Sequence, residues 1–358
     1  MWIRPGHERL QYTGRIDWSD CSAPVFVFPC TSVRIRFTGH LLKVHVRNKR
    51  VYWENYVGCI ADGIQTKMRL PDVGEAVLEI PLIPAGSETA DADRSESQRG
   101  VHEVLLFKRQ DCCHEMAVLG FEIEDGARIL EPPKRPGRRI EVYGDSVSAG
   151  EVSEAVEYTG RADPEHNGEY SNSWYSYAWM TARKLGAEIH DIAQGGIALL
   201  DGTGWFNQPQ ALGMESVWDK VHYQPALGGM TEWDFRNYTP HIVIVAAGQN
   251  DAHPQDYMRE EYNGPRAEAW REGYGKFLRK IRRQYPYAWI VCITTLLEHA
   301  KQCDDSIEEV CQDMGDKKIR HFLFRRNGCG TPGHLRIPEA EEMAKELSAY
   351  IEGLDIEW

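Results

Sequence analysis

The hydrophobic pattern of this chain changes period at one place. Before residue 130 the apolar residues alternate or gather in short β-branched runs, with no helical period of useful length. After Glu131-Pro132-Pro133-Lys134-Arg135-Pro136-Gly137, strand-sized runs alternate with segments of helical period. Prolines cannot continue a sheet ladder, so this stretch reads as a linker. A chain of 358 residues also exceeds one ordinary core. Two domains are expected, residues 1–135 and 138–358.

In the first, strands are expected at 25–29, 33–37, 41–46, 52–60, 76–83, 101–107 and 117–123. Val33-Arg34-Ile35-Arg36-Phe37 and Lys43-Val44-His45-Val46-Arg47 alternate strictly, as half-buried strands do. Short strands separated by turn signals predict an all-β sandwich, jelly-roll-like in form. The polar run 86–100 is expected to be a mobile loop.

In the second, strands are expected at 140–143, 188–193, 241–247, 289–294 and 319–324. Helices are expected at 173–185, 267–284, 304–314 and 338–352. Trp270, Tyr274, Phe277, Leu278 and Ile281 share one helical face, as do Ala340, Met343, Ala344, Leu347 and Ile351. Such alternation predicts an α/β fold, a parallel sheet with helices on both faces. Two long irregular insertions, 151–172 and 202–238, follow strands, where loops shape sites.

The net charge of −13 argues against nucleic acid or an anionic membrane as partner, and favours an uncharged ligand. The apolar runs are too short to cross a bilayer. The first residues lack the apolar core of a signal peptide, and the nine cysteines are scattered without a CxxC pair. The expectation is a cytoplasmic protein with reduced thiols. Cys112-Cys113-His114 is the one local group suggestive of metal. Adjacent ligands at one corner do not build a tetrahedral site, so neither metal nor cofactor is expected.

The candidate chemistry lies at the strand ends. Gly144-Asp145-Ser146 ends the first parallel strand, Gly195-Gly196 follows the second, and Gly248-Gln249-Asn250-Asp251 follows the third. His334 stands in the loop before the last helix. A serine hydroxyl is a weak nucleophile until a base takes its proton, and its tetrahedral intermediate needs donors aimed at the oxyanion. Ser146 supplies the nucleophile and a backbone N–H. Gly196 can bring a second N–H close because it has no side chain. Asn250 offers a side-chain amide, and His334 is the candidate base.

These residues resemble the blocks of the SGNH (GDSL-like) hydrolase superfamily, in order and in strand-end placement, over about residues 138 to 358. The spacing to Leu199 favours Gly196 over Gly195 in the second block. The whole chain resembles carbohydrate esterase family two, in which a β-sandwich precedes the SGNH domain. Residues 101–109, Leu119-Gly120-Phe121-Glu122 and the Pro132-Pro133 linker resemble that family's passage between domains. The resemblance implies a flavodoxin-like catalytic sheet. It also implies removal of O-acetyl groups from xylan, mannan or their oligosaccharides by a metal-free serine mechanism.

One position departs from the superfamily pattern. Many members carry an aspartate three residues before the histidine, and here that residue is Thr331. Either the enzyme uses a Ser146–His334 dyad, as the resemblance implies, or another group orients the ring. A backbone carbonyl can accept the Nδ1–H bond.

Asp145 is expected to bond nearby backbone, and Asp251 to support Asn250. His253 either lines the site or is inert. Trp205, Phe206, Trp218 and Trp233 lie in the second insertion, where an aromatic ring can stack on a sugar; Trp205 is the candidate and the others are expected to pack. Gln208 and Gln210 could bind hydroxyls, with nothing to select them. The leading expectation is an acetylesterase acting on imported, hemicellulose-derived oligosaccharides. A second reading, motivated by Thr331, is a carbohydrate-binding protein with a vestigial serine site. A third is serine chemistry on other acyl esters.

Overall fold

The computed structural model describes residues 1–82 and 100–358. They form two compact units, Met1–Arg135 and Pro136–Trp358. Apart from Gly100, the polar run 86–100 lies outside the described residues, as does the end of the strand expected at 76–83.

The first unit holds two six-stranded sheets. One runs Ile16–Asp17, Val25–Phe26, His114–Ile123, Leu42–Arg50, Val73–Glu79, with Trp2–Ile3 also on His114–Ile123. The other runs Ile129–Leu130, Ser32–Thr38, Val101–Lys108, Tyr56–Ala61, Ile64–Arg69, with Gln11–Thr13 on Ser32–Thr38. Strict alternation decides which faces turn inward. Val33, Ile35 and Phe37 from one sheet and Leu42, Val44 and Val46 from the other are buried in one shared core. Each such side chain contributes about 1.5–3 kcal/mol by burial. Sequence reading misses Ile64–Arg69, an edge strand whose residues are exposed or half-buried and carry no alternation to detect.

Cys112, Cys113 and His114 are buried in this unit, with Cys113 Sγ 3.2 Å from His114 Nδ1. Burial holds the Cys113 thiol well above its ordinary pKa, which disfavours the thiolate a metal requires. The Lys108 amine is buried beside them, donating to the carbonyls of Gln110 and Asp111, and occupies the polar centre of the group.

The second unit is built on a five-stranded parallel sheet, in the order Ala187–Ala193, Arg138–Gly144, Ile242–Ala246, Trp289–Ile293, Ile319–Phe322. This is the flavodoxin-like order. The central strand Ile242–Ala246 is buried throughout, so it reads as an unbroken apolar run rather than an alternating one. Helix Pro265–Gln284 packs against Lys301–Asp313, and the right-handed rule for parallel crossovers assigns this pair and helix Tyr177–Lys184 to opposite faces of the sheet. The last helix, Ile337–Glu352, packs against Tyr177–Lys184. Trp270, Tyr274, Phe277, Leu278 and Ile281 form the buried face of Pro265–Gln284, as the periodicity predicts. The helix expected from residue 173 begins instead at Tyr177, because Ser176 Oγ accepts the Trp179 N–H at 3.1 Å and caps it there.

The chain leaves strand Arg138–Gly144 toward one edge and returns to build toward the other. A crevice opens at the carboxyl end of such a switch point. Among the described residues, no helix is long and apolar enough to cross a membrane.

Candidate active site

Three turns at the carboxyl ends of adjacent strands build this site, and the first is fixed by its glycines and its acid. After strand Arg138–Gly144 the chain folds back so tightly that a Cβ on Gly144 would lie 2.1 Å from Ser148 Oγ. Asp145 Oδ1 then accepts the Val147 N–H at 3.0 Å and starts the one-turn helix Ser146–Ala149. Gly150 ends it at φ +76°, where a Cβ would meet the Asn172 carbonyl at 2.6 Å. Ser146 is thereby held at the strand end, 6% exposed. Burial raises the Asp145 carboxyl to about 6, against the bond from Val147 and the pull of His334.

His334 meets this serine. Its Nε2 lies 2.8 Å from Ser146 Oγ, across 188 residues of chain. Its Nδ1 lies 2.6 Å from Asp163 Oδ2, and its backbone N–H donates to Asp163 Oδ1 at 2.9 Å. Of the two arrangements left open by Thr331, the geometry matches the second, in which another group, the Asp163 carboxylate, faces the His334 ring in a serine–histidine–aspartate arrangement. The acid comes from the first insertion, 171 residues before the histidine. Thr331 itself serves the preceding turn, where its carbonyl accepts the Glu298 N–H at 2.9 Å.

Electrostatics follow from this placement. Burial pushes the His334 imidazole down, but the carboxylates of Glu151, Asp163 and Asp145 outweigh it and hold the ring at about 9. Burial opposes ionisation of Asp163, yet its bonds from His334 and the nearby Arg336 guanidinium keep it well below the usual carboxylate range. A base must be neutral to accept a proton, so turnover is expected to rise as pH passes upward through the His334 value. Glu151→Gln is expected to move this acid limb downward by about one pH unit. A pH–rate profile of both proteins checks this, and identical limbs would exclude Glu151 as a cause.

The second turn follows strand Ala187–Ala193. Gly196 sits at φ +72°, and a Cβ there would lie 2.8 Å from Trp205 Cβ, so glycine alone allows the approach. The third turn follows Ile242–Ala246. Asn250 Nδ2 donates to the Ile197 carbonyl at 3.0 Å and lies 3.5 Å from Asp145 Oδ2, lacing all three turns together.

Asp251 works differently from its expected support of Asn250. It accepts the N–H groups of Leu199 (2.7 Å) and Leu200 (3.2 Å) and the Thr203 hydroxyl (3.1 Å), and so pins the loop after Gly196. Burial raises its carboxyl to about 6 against these bonds. Asp251→Ala leaves buried donors unpaired and is expected to lower stability by about 2–4 kcal/mol. Chemical denaturation followed by tryptophan fluorescence measures it.

Trp205 is 57% exposed, in contrast to Phe206 at 4% and Trp218 at 9%, which pack inward. Its ring stacks on His253, with centroids 3.3 Å apart and planes 20° apart. His253 thus backs Trp205 and takes no part in the serine–histidine contact, and Gln208 Nε2 lies 3.0 Å from its Nε2. Gln210 is exposed, and its carbonyl accepts from Asn207 Nδ2 at 3.0 Å. Trp233 is half-buried, with its ring edge against His190.

Sequence reading misses Asp163, Glu151, Gly333, Arg336 and Glu339. No spacing signal marks Asp163, because it lies in an irregular insertion far from the residue it serves.

Comparison with known proteins agrees with this architecture. Residues 12–133 match the family model described as carbohydrate esterase 2 N-terminal. The cellulase/esterase CelE of Acetivibrio thermocellus is 27% identical over 355 residues, covering 96% of this chain and 39% of that protein. This chain therefore spans about two fifths of that relative's length. The acetylxylan esterase / glucomannan deacetylase of Cellvibrio japonicus is 24% identical, covering 81% of this chain and 72% of that one. A structure of a family two carbohydrate esterase from Clostridium thermocellum, in complex with cellohexaose, superposes with a TM-score of 0.76. It is 25% identical, covering 96% of this chain and 98% of that one.

Proposed function

We propose, on the premise that this chain is a homologue of the family two carbohydrate esterases, that it is a serine O-acetylesterase acting on saccharides. The observation that carries the proposal is the continuous line from Ser146 Oγ through His334 to Asp163, at 2.8 and 2.6 Å.

His334 Nε2 takes the Ser146 proton as Oγ attacks the acetyl carbonyl, and the C=O electron pair moves onto oxygen. The N–H groups of Ser146 and Gly196 and the Asn250 amide stabilise that oxyanion. One Asn250 N–H is engaged by Ile197 at 3.0 Å, and the second, which meets Asp145 Oδ2 only at 3.5 Å, is the one assigned to the intermediate, exchanging that long bond for the oxyanion. The tetrahedral carbon expels the sugar oxygen, which takes the proton from His334. A water then gives its proton to the same nitrogen and attacks the acetyl-enzyme, releasing acetate and restoring Ser146.

The substrate proposed is an acetylated manno- or xylo-oligosaccharide. Its support is the activity for which the Cellvibrio japonicus relative is named, together with an exposed Trp205 ring placed by the turn that holds Gly196. A cytoplasmic setting with imported oligosaccharides completes the proposal, in keeping with nine free thiols. Asp163 fills the role whose absence at position 331 suggested a vestigial site, so the catalytic reading is preferred to the binding-only one.

Acetate release from acetylated manno- and xylo-oligosaccharides tests this, against octanoyl esters as competitors for the acyl preference. A preference for octanoyl over acetyl groups would sink it. Trp205→Ala is expected to raise KM for an acetylated oligosaccharide about tenfold, the loss of about 1.4 kcal/mol of stacking. Hydrolysis of ethyl acetate should stay within about threefold, since that substrate has no ring to stack there.

A further inference from the structure

We infer that Gly333, Arg336 and Glu339 form a dock that seizes residues 160–163 of the first insertion and makes Asp163 the partner of His334. This rests on the esterase reading of Ser146 and His334.

Each dock residue has a separate task. Gly333 gives room: a Cβ there would lie 2.6 Å from the Arg161 carbonyl and 2.7 Å from Asp163 Oδ1. Arg336 gives charge. Its side chain is fully buried, it donates to Asp163 Oδ1 at 2.9 Å and to the His334 carbonyl, and it lies 3.5 Å from the Ala162 carbonyl. Glu339 gives anchorage, because its Oε2 accepts the Arg336 N–H and its Oε1 the Gly160 N–H, both at 2.8 Å.

Asp163 therefore accepts three bonds from a single short segment, two of them on Oδ1, which leaves Oδ2 aimed at Nδ1. An exposed loop carboxylate would otherwise sample many orientations, and fixing it against one imidazole needs a rigid donor array. A buried guanidinium without a carboxylate is costly, so Arg336 and Asp163 enforce each other's placement. Arg336 is accordingly a positioning residue that acts on the reaction through Asp163. The Gly-His-Leu-Arg-Ile-Pro-Glu run at 333–339 thus encodes reception of a distant acid, in place of carrying one at position 331.

The test uses wild type, Asp163→Asn, Arg336→Met, Arg336→Lys and the Asp163→Asn/Arg336→Met double variant. Acetate release gives kcat and KM, and proton NMR reads the low-field signal of an imidazole Nδ1–H bonded to a carboxylate. Arg336→Met is expected to lower kcat about 10²-fold with KM changed less than about threefold, the mark of a misplaced catalytic group. Arg336→Lys should recover part of that loss. In the Asp163→Asn background the same change should cost less than about threefold more, because both substitutions remove one interaction.

The low-field signal should be present in wild type and absent from Asp163→Asn and Arg336→Met. An Arg336→Met protein that keeps the signal, or that slows the Asp163→Asn enzyme as much as it slows wild type, overturns the dock. Should Arg336→Met fail to melt cooperatively, Gly333→Ala displaces residues 161–163 without removing a charge; loss of the signal supports the dock, and its retention overturns it. If wild type releases no acetate, the esterase reading fails, and the NMR signal still decides the dock by itself.

Discussion

Alanine at position 146 is expected to lower acetate release by about 10⁴-fold or more, with saccharide binding within about threefold of wild type. The change removes one oxygen from a residue that is already buried, so it opens no cavity of consequence. It also leaves Asp145 capping the Ser146–Ala149 turn, because the cap bonds the Val147 N–H and not the serine side chain. What disappears is the nucleophile. The donors proposed for the oxyanion remain, and with them a residual rate above that in water. Equal acetate release by Ser146→Ala and wild type would eliminate the serine mechanism. A burst of acetyl-enzyme in wild type, absent from the variant, is the positive counterpart.

Asparagine at position 163 is the second large effect, expected at about 10² to 10⁴-fold in kcat. The side chain keeps its size, but its amide can present an N–H to Nδ1 of His334. The ring then favours the tautomer with its proton on Nε2, facing Ser146 Oγ, where it cannot accept another. Asp163 also holds part of the raised imidazole pKa, so the acid limb of the rate profile should fall toward the ordinary histidine range. Activity within about threefold of wild type would return the enzyme to a dyad.

Stability follows the same pair with opposite signs at its two ends. The Asp163 carboxyl is depressed, so its contribution is present above about pH 4 and is lost as pH falls. The His334 imidazole is raised, so its contribution is present below about pH 6.5 and is lost as pH rises through about 9. The difference in melting temperature between wild type and Asp163→Asn should therefore be largest between those limits.

The parallel sheet was legible because buried parallel strands and amphipathic helices write different periods. The sandwich was legible where strands alternate, as at Ser32–Thr38, and illegible at its polar edge, as at Ile64–Arg69. Ser146, Gly196 and Asn250 could be singled out because each sits directly after a strand whose end the sequence marks. Asp251 was misassigned for a related reason: its neighbour along the chain is Asn250, but its bonds go to Leu199, Leu200 and Thr203.

The chain's own order of residues determined two folding units and the strand ends where chemistry could gather, since backbone period and turn chemistry are local properties. Only the folded structure chose the acid. Asp163 reaches His334 because Gly333 leaves room and Arg336 supplies a buried charge, and both act through space between segments about half the chain apart. Contacts of that kind leave no period or spacing along the polymer, because they depend on distance and charge and not on chain order.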